Sequence, residues 1–564
     1  MKKLIECVPN FSEGSDMSVI KQITDAIESV EGISLLDVDP GQATNRTVVT
    51  FVGEPEPVME AAVNGIKKAS ELIDMRKHSG AHPRFGATDV CPLVPVKGVT
   101  MEETVEYARK LGKKVGEELG IPVYCYEYAA YSDERKNLAN CRAGEYEALP
   151  DRITTEKWKP DFGPAEFTDS VAKTGVTAVG ARDFLVAFNV NLNTTSTRRA
   201  NAVAFDVREK GRKKRKGNPL TGPLVKDEKG NQVWIPGTLK AVKGIGWFIE
   251  EYGIAQISMN LTNIKITSVH EAFDEACEKA RARGIRVTGS ELVGLVPLEA
   301  MLDAGRYFLR KQERSLGVSD KELIKIAVKS MGLDDLYEFK PDDKIIEYAM
   351  QKGDDTKKLV DMNLSDFMWE TASESPAPGG GSISAYMGSL GAALGTMVAN
   401  LSSHKRGWDE RWEEFSKWAE KGKHYHDELL HLVDEDTNAF NKIMDAFGMP
   451  KKTEEDKAAR KEAIAEATRY AIEVPLKTMK VCYESMEVMK AMADIGNPNS
   501  VSDAAVGAIA AVAGARGAHL NVRINTGDFE DKAFVDKVLK EAADIEDKAI
   551  KLEKEILDIT ESKL

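Results

Sequence analysis

Two histidines, an arginine and an aspartate occur together in one short segment of the chain. Residues 78–93 read His-Ser-Gly-Ala-His-Pro-Arg-Phe-Gly-Ala-Thr-Asp-Val-Cys-Pro-Leu. Gly80, Pro83 and Gly86 interrupt any helix or strand, so the segment is predicted to be a loop on a rigid scaffold. Histidine is well suited to moving protons near neutral pH, and arginine to holding a carboxylate. This loop therefore indicates proton transfer on an acidic metabolite.

A glycine-rich turn and, separately, a pair of aspartates are further candidates for chemistry in the last third of the chain. Residues 375–382 read Ser-Pro-Ala-Pro-Gly-Gly-Gly-Ser and lack the Gly-Lys-Ser/Thr ending of a phosphate-binding P-loop, so ATP binding is not expected. Small residues follow, which predicts a helix start whose free N–H groups face an anion, or else close packing of helices. Asp434 lies two residues from Asp436 and points to another side of a helix, so it is predicted to be solvated.

The histidine and cysteine spacings give no sign of a metal centre. His424 and His431 share a helical face but His426 does not, so a solvated face is expected there. None of the six cysteines forms a CxxC pair, which favours reduced thiols in the cytoplasm. The net charge of −14 argues against nucleic-acid binding, and the longest run of small apolar residues, 504–515, is shorter than the roughly 20 residues of a membrane span. We expect a cytoplasmic protein without metal, nucleic-acid or membrane partners.

The elements that carry the first site alternate between strands and helices. In the first third, strands are predicted at 4–8, 33–38, 47–52, 91–96 and 122–126, and helices at 58–73 and 105–119. After Pro164, the prediction is a strand at 184–192, a helix near 195–209, strands at 242–250 and 255–261, a helix at 270–283 and a strand near 285–288. Strand-helix-strand-strand-helix-strand is the ferredoxin-like split β-α-β order. We predict two tandem α/β subdomains of this kind, with the substrate between them.

The last third is predicted to be all helix. Val538, Ile545, Leu552 and Ile559 recur every seven residues, as in the seam of a helix packed in a bundle. A chain of 564 residues should also divide into several domains. The predicted division is an N-terminal subdomain at 1–180, a second subdomain at 181–337, a linker at 338–362 and an all-α helical-bundle domain at 363–564.

Both candidate sites lie in segments that resemble known enzymes. Residues 6–14, 36–41, 44–48, 78–93, 142–150 and 244–247 resemble glutamate formimidoyltransferase. Residues 375–382, 434–440 and 496–503 resemble formimidoyltetrahydrofolate cyclodeaminase. Together they follow the order of the bifunctional formimidoyltransferase-cyclodeaminase family. The resemblance implies two steps of histidine degradation and one-carbon metabolism: transfer of the formimidoyl group from N-formimidoyl-L-glutamate to tetrahydrofolate, then cyclisation of 5-formimidoyltetrahydrofolate to 5,10-methenyltetrahydrofolate with release of ammonia.

The resemblance also implies catalytic residues. His82 matches the catalytic histidine of the His-Pro-Arg motif and is expected to accept a proton from N5 of tetrahydrofolate, with His78 nearby. Arg84 would hold a carboxylate of formiminoglutamate or, alternatively, form a salt bridge. Asp39, in a Pro-Gly turn, would orient His82 or merely form the turn. Asp436 matches the catalytic aspartate of the second half and is expected to act as an acid, its pKa raised by burial.

Folate contacts are expected at two places. The first matches the folate-binding segment of the family and comprises Gly163, Pro164, Ala165, Glu166, Phe167, Thr168, Asp169, Ser170, Val171 and Ala172. The second is the glycine turn, Gly379, Gly380, Gly381 and Ser382, facing a folate glutamate tail. Asn521 would read the pterin or make a buried hydrogen bond. The implied co-substrate is polyglutamylated tetrahydrofolate with no metal, and the implied assembly is a homo-oligomer, an octamer.

Three alternatives remain open at this point. The second half could hydrolyse 5,10-methenyltetrahydrofolate, as related helical domains do, and the first could transfer a formyl group. A non-enzymatic scaffold that binds folate without turnover is the third. Ammonia production distinguishes the first alternative, the donor the second, and turnover the third.

Residues 214–236 form an insertion relative to the compact form of the family and are predicted to be a long surface loop. The basic run at 210–216 leads into it. Opposite charges can concentrate and steer a ligand, so one interpretation is a guide for polyglutamylated folate. The other is an ordinary solvated loop.

Overall fold

The computed structural model describes residues 3–42, 45–80, 83–219, 221–350 and 358–564. The chain divides into two compact units. The first comprises Met1–Ala304 and Ala327–Gly353, and the second Gly305–Ile326 and Asp354–Leu564. Residues 305–326 belong to the second unit, although they precede the predicted linker at 338–362. The domain boundaries drawn from the sequence stay a prediction.

In the part of the chain that the structure describes, the strands lie in the first unit. They are β1 (Leu4–Cys7), β2 (Asn10–Phe11), β3 (Ser34–Gly41), β4 (Arg46–Gly53), β5 (Thr88–Lys97), β6 (Val123–Glu127), β7 (Thr177–Ala181), β8 (Val186–Leu192), β9 (Arg212–Lys213), β10 (Trp234–Ile235), β11 (Val242–Ile249), β12 (Ile254–Leu261) and β13 (Val287–Val293). The helices up to residue 350 are α1 (Met17–Glu28), α2 (Pro55–Leu72), α3 (Met101–Glu118), α4 (Leu138–Cys141), α5 (Leu149–Arg152), α6 (Asp169–Thr174), α7 (Thr197–Val207), α8 (Val269–Arg281), α9 (Leu298–Lys311), α10 (Asp320–Met331), α11 (Pro341–Lys344) and α12 (Ile346–Ala349). The boundary between the units runs through α9 and α10.

The first sheet has the strand order β1-β4-β2-β5-β7-β6, and β3 pairs with the outer side of β4. Both β1 and β2 pair with β4 and β5, so they act as one strand interrupted after Cys7. Strands β5, β7 and β6 run parallel. Ile5 and Cys7 belong to the core that the sheet shares with α1, α2 and α3, whereas Glu6 lies between them in the strand and therefore faces the opposite side.

The second sheet is antiparallel, with the order β11-β12-β8-β13. Along the chain its elements follow the order β8-α7-β11-β12-α8-β13. The α7 helix approaches β11 closely because Gly246 has no side chain: a Cβ there would lie 2.2 Å from the backbone nitrogen of Asn201. The coarse prediction of two α/β sheet subdomains followed by a helical region is confirmed.

The insertion is not the unpaired surface loop predicted from the sequence. Lys213 and Trp234 are partners in the β9–β10 pair, and the backbone bridge between Lys226 and Gln232 closes the tip. Between these ends, Lys214 N–H donates to Val233 O at 2.8 Å. Backbone pairing therefore folds the stretch back on itself, and we call residues 212–219 and 221–235 the inserted hairpin.

The second unit is helical in its C-terminal part. Its helices are α13 (Leu364–Thr371), α14 (Gly380–Ser403), α15 (Trp412–Gly448), α16 (Glu454–Ile495), α17 (Val501–Asn525) and α18 (Lys532–Glu561). The predicted seam of α18 packs into the helical core: Val538 and Ile545 are buried, whereas Leu552 and Ile559 are half-buried against it. The interleaved Ala542, Ala549 and Ile556 are also buried. By length and composition α14 could cross a membrane, but 61% of its apolar window is buried inside the structure, as in the core helix of a globular protein.

Glycines allow α14 and α17 to pack backbone against backbone. A Cβ on Gly391 would lie 2.5 Å from the carbonyl oxygen of Gly507, and one on Gly514 would lie 2.6 Å from that of Ser384. Such approaches leave no space for larger residues. The small residues of these helices therefore serve helix packing, which is one of the two interpretations drawn from the sequence.

Candidate functional sites

A cluster of buried charged residues anchors the first candidate loop, residues 78–89, to its neighbours. Asp89 is completely buried at the start of β5 and accepts hydrogen bonds from Arg46, on β4, and from Arg142 Nη2 at 2.7 Å. The backbone N–H of Phe85 donates to the other carboxylate oxygen at 3.0 Å. A buried carboxylate needs such partners because removing it from water is costly. This cluster joins the loop to β4 and to the segment after α4.

Arg84 meets carboxylates of the protein itself. Its Nη2 lies 2.8 Å from Glu147 Oε1, and its Nη1 lies 3.2 Å from Glu145 Oε2. These contacts raise the pKa of the Arg84 guanidinium, with the hydrogen bond to Glu147 as the largest cause. Its Nη2 also donates to the carbonyl oxygen of His78 at 3.3 Å. In this structure Arg84 therefore forms the internal salt bridge that the sequence left open as an alternative to substrate binding.

His82 and Asp39 complete the predicted first site. His82 lies outside the described residues. Asp39 is exposed and lies within β3, where it is paired in register with Val48. The Pro-Gly turn predicted around it is therefore wrong, because pairing with β4 extends the strand through Pro40 and Gly41.

The candidate folate segment packs against the same loop. Thr168 caps α6 by accepting a hydrogen bond from the Val171 N–H, as expected for a helix start. The hydroxyl of Tyr146 donates to the carbonyl oxygen of Ala172 at 2.5 Å. Just beyond the segment, a Cβ on Gly175 would lie 2.2 Å from the carbonyl oxygen of Phe85, so the two chain segments touch. Val171 and Phe85 also belong to the same buried hydrophobic cluster, so the end of the candidate folate segment lies near Phe85 of the loop.

The second candidate site forms where α15 meets the beginning of α14. Gly379 is the N-cap of α14, and Ser382 Oγ in its first turn donates to Asp436 Oδ2 at 3.0 Å. Burial raises the pKa of the Asp436 carboxyl, and hydrogen bonds from Ser382 oppose this. A Cβ on Gly381 would lie only 2.0 Å from Asp436 Oδ1. The glycine turn and the aspartate, which are 54 residues apart, therefore form one site.

Other polar residues of the helical unit have ordinary structural partners. The Asn521 side chain donates to Gly517 O at 3.0 Å and lies beside Gly380, so it borders the glycine turn. The prediction of a solvated Asp434 is wrong, because its Oδ1 accepts a hydrogen bond from the Leu359 N–H at 2.8 Å. Among the described residues, no group of three or more His, Cys, Asp or Glu side chains is arranged to hold a metal ion.

The sequence interpretation missed the acidic partners of the first loop. Glu145 and Glu147 lie in the stretch 142–150, which carried the resemblance but was given no role, and the same holds for Arg142. The only sequence signal for a role of these three residues is that charged residues alternate with small and turn-forming residues in this stretch. Nothing local in the sequence says that they contact a loop 61 or 63 residues earlier.

Comparisons with known proteins agree with this layout. Family models match residues 4–182 (formiminotransferase domain, N-terminal subdomain), 187–351 (formiminotransferase domain) and 363–544 (formiminotransferase-cyclodeaminase). The glutamate formimidoyltransferase of Thermoplasma acidophilum is 43% identical over 309 residues, which cover 54% of this chain and 92% of its own. The methenyltetrahydrofolate cyclohydrolase of Methylorubrum extorquens is 37% identical over 201 residues, 36% of this chain and 97% of its own.

Several relatives span both halves. The formimidoyltransferase-cyclodeaminase of Mus musculus is 42% identical over 537 residues, which cover 95% of each chain. Because this match runs through both candidate sites almost from end to end, the chain belongs to the formimidoyltransferase-cyclodeaminase family.

Proposed function

We propose that the protein is a bifunctional folate enzyme, a glutamate formimidoyltransferase and a formimidoyltetrahydrofolate cyclodeaminase (an ammonia-lyase). It transfers the formimidoyl group from N-formimidoyl-L-glutamate to tetrahydrofolate and then cyclises the product to 5,10-methenyltetrahydrofolate with release of ammonia. The match to a bifunctional relative over 95% of both chains carries this conclusion. The cyclohydrolase relative matches the second half alone, so cyclohydrolysis is not favoured for the whole chain.

In the transfer step, N5 of tetrahydrofolate attacks the amidine carbon of formiminoglutamate. We assign His82 as the base that takes the proton from N5 and returns it to the departing glutamate nitrogen, since positioned histidines commonly serve in such steps. The new bond to N5 gives a tetrahedral adduct, and the C–N bond to glutamate breaks when this adduct collapses, so no covalent enzyme intermediate is needed. The folate would lie along residues 163–172, whose Val171 shares a buried hydrophobic cluster with Phe85 of the loop.

Arg84 and Asp39 have supporting roles in this proposal. The contacts of Arg84 with Glu145 and Glu147 support a role in holding the loop in place. A grip on the substrate carboxylate would require exchange with one of these glutamates. Asp39 is exposed on β3 and is proposed to orient His82.

In the cyclisation step, N10 attacks the formimidoyl carbon and ammonia leaves. Asp436 is proposed to donate the proton that converts the amino group into a leaving group. Burial raises the pKa of this carboxyl, which favours the protonated form that an acid requires. The glycine turn at 379–381 leaves room beside the carboxyl that any larger residue at Gly381 would fill.

Several finer features belong to the same proposal. The strand orders of both sheets support ferredoxin-like subdomains. Exposed apolar side chains on α14 and α17, among them Leu390, Met397, Val506 and Ile509, support a homo-oligomer, proposed as an octamer. Polyglutamylated tetrahydrofolate as co-substrate, the absence of a resident metal and a cytoplasmic location complete it.

A coupled assay tests the two-site function. Formiminoglutamate and tetrahydrofolate are supplied, and glutamate, ammonia and the absorbance of methenyltetrahydrofolate are followed together. His82→Ala should abolish glutamate release. Asp436→Ala should release glutamate but accumulate 5-formimidoyltetrahydrofolate. If the wild-type protein gives neither product, the assignment is wrong, and formylglutamate and methenyltetrahydrofolate are the substrates to try next.

A further inference from the structure

The inserted hairpin closes a concave cleft against α7, within the second α/β subdomain. The cavity is about 530 Å³ and is lined by Arg198, Asn201, Ala202, Phe205, Arg208, Arg212, Lys213, Arg215, Pro219 and Trp234. Half of these ten residues are cationic and none is acidic. A lining with five cationic residues and no acidic one is unusual for a chain with a net charge of −14. The basic run noted in the sequence thus forms only one wall of a site that α7 completes.

The cations of the cleft are poorly neutralised by the protein. Arg212 pairs with Asp206, but that carboxylate also binds Arg283. In the described ranges, no carboxylate pairs with Arg198, Arg208, Lys213 or Arg215. Of the five positive charges on this concave surface, only Arg212 has a carboxylate partner within the described part of the chain, and that partner also pairs with Arg283, which lies outside the lining. The positive potentials of the five side chains therefore add.

Several of these cations are held in fixed positions before any ligand arrives. Arg208 donates to the carbonyl oxygens of Gly211 at 3.0 Å and Gly244 at 3.1 Å, while its guanidinium stacks 3.9 Å from the centre of the Phe205 ring. Arg215 donates to Gly222 O at 2.7 Å. Because both arginines bond to backbone oxygens, their charges stay available to an anion.

Two observations indicate that the lining is incomplete without a negative partner. The side chain of Arg212 is almost entirely buried, and its Nε has no hydrogen-bond partner among the described residues. Burial, and then the neighbouring Arg212, lower the pKa of the Arg208 guanidinium. A cluster of like charges that destabilises its own members is stabilised when an anion binds among them.

We propose that this cleft binds a small polyanion, a molecule with several phosphate or carboxylate groups along a short chain. Arginine forks match both groups in two-pronged contacts, and a concave cleft of about 530 Å³ suits a metabolite better than a macromolecule. Trp234, which is 37% exposed, adds an apolar wall for a flat or methylene-containing part of the ligand. The proposal does not depend on either catalytic assignment.

The test is calorimetric titration of the full-length protein with inorganic tripolyphosphate at about 0.15 M salt, where distant surface charges are screened. The variant is Arg198→Gln with Lys213→Gln, because both side chains are exposed and their loss should leave the fold intact. We expect saturable binding that the double variant weakens about tenfold, equivalent to about 1.4 kcal/mol. The matched control is Lys226→Gln with Lys229→Gln, two exposed lysines of the same hairpin that do not line the cleft.

Competition then identifies the source of the negative groups. A γ-linked pentaglutamate and metal-free ATP are titrated in the same way. The one that displaces tripolyphosphate at the lower concentration shows whether the cleft prefers carboxylate or phosphate groups. No saturable binding of any of the three would overturn the proposal, as would equal weakening by the control pair, which would mean a diffuse positive surface. Both catalytic activities, measured with monoglutamyl tetrahydrofolate so that no glutamate chain can reach the cleft, should be unchanged in the double variant, so failure here is distinguishable from failure of the proposed function.

Discussion

Asp436 is a carboxyl group whose surroundings act on its acidity in opposite directions. Burial raises its pKa, while the hydrogen bonds from Ser382 stabilise the carboxylate and lower it. If the protonated form is the catalyst, ammonia release from preformed 5-formimidoyltetrahydrofolate should decline as the pH rises through this raised pKa. Ser382→Ala removes the hydroxyl that favours the carboxylate, so the declining limb should move to higher pH. A limb that stays in place or moves to lower pH would contradict the role of Asp436 as the acid.

The buried carboxyl group of Glu6 should make the stability of the first unit depend on pH. Complete burial raises its pKa from 4.5 to about 7. Between these two values the folded chain holds the proton more tightly than the unfolded chain does, so stability is highest below about 4.5 and is lost as the pH rises towards 7. The loss corresponds to about 3 kcal/mol.

Urea unfolding of Glu6→Gln across this pH range measures the effect. The variant cannot ionise at position 6, so its free energy of unfolding should fall by about 3 kcal/mol less than that of the wild-type protein between pH 4.5 and 7. Glu28→Gln, at an exposed position of α1, is the control and should follow the wild-type profile. Parallel profiles for Glu6→Gln and the wild-type protein would show that Glu6 does not titrate in this range.

At the scale of the secondary-structure element, two neighbouring glycines at the beginning of α14 differ in how much space they leave for a side chain. A Cβ at Gly381 would lie 2.0 Å from Asp436 Oδ1, whereas one at Gly380 would lie 3.5 Å from Asn521 Nδ2, an ordinary contact. Gly381→Ala should therefore displace Asp436 and lower ammonia release at least about a hundredfold, the usual contribution of a general acid. Gly380→Ala should keep most of the activity, and formimidoyl transfer should be normal in both. Equal effects of the two changes would show that the turn, and not its contact with Asp436, matters.

The cluster around Asp89 ties β4, β5 and the candidate loop together. Asp89→Asn removes the charge that two buried arginines share, and leaving such partners unpaired typically costs about 3–5 kcal/mol. Chemical denaturation should reveal a loss of this size. Asp25→Asn, the same substitution in an exposed ion pair of α1, should cost less than about 1 kcal/mol. A small effect at Asp89 would mean that water replaces the lost carboxylate.

At the scale of the whole molecule, the two candidate sites lie in different compact units. His82→Ala should therefore retain cyclodeaminase activity, and Asp436→Asn should retain transferase activity. An equal mixture of the two proteins, supplied with formiminoglutamate and tetrahydrofolate, should form methenyltetrahydrofolate after a lag, because the intermediate must diffuse from one protein to the other. Absence of product from the mixture, with each single activity intact, would show that the intermediate does not leave the enzyme.

Local pattern accounts for most elements of this fold but for few of its contacts. The amphipathic runs at 58–73 and 105–119 predicted α2 and α3. Every strand of the second sheet was also predicted, although β13 continues to Val293, beyond the predicted end. Strand β7 was missed because Thr-Ala-Val-Gly-Ala is a short run of small residues with no alternation, buried by its parallel neighbours β5 and β6. Pairing with β4 likewise overrode the turn chemistry at Pro40 and Gly41.

The candidate sites illustrate the same limit. Resemblance singled out Asp436 and the glycine turn separately, but their direct contact follows from the packing of α15 against the start of α14. The pairing of Arg84 with Glu145 and Glu147 depends in the same way on chain segments that are distant in sequence. Residue type and spacing identify reactive groups, and tertiary packing decides which of them meet.

The pairing of Lys213 with Trp234 has a further consequence for how this protein can change. Paired strands bring the two ends of the inserted hairpin side by side, so the chain enters and leaves the subdomain at nearly the same point. A segment with adjoining ends can lengthen, shorten or be exchanged at little cost in loop-closure entropy. The hairpin is therefore a natural grafting point: a two-residue turn in its place should preserve the sheet, and a foreign hairpin should be displayed there without altering either catalytic unit.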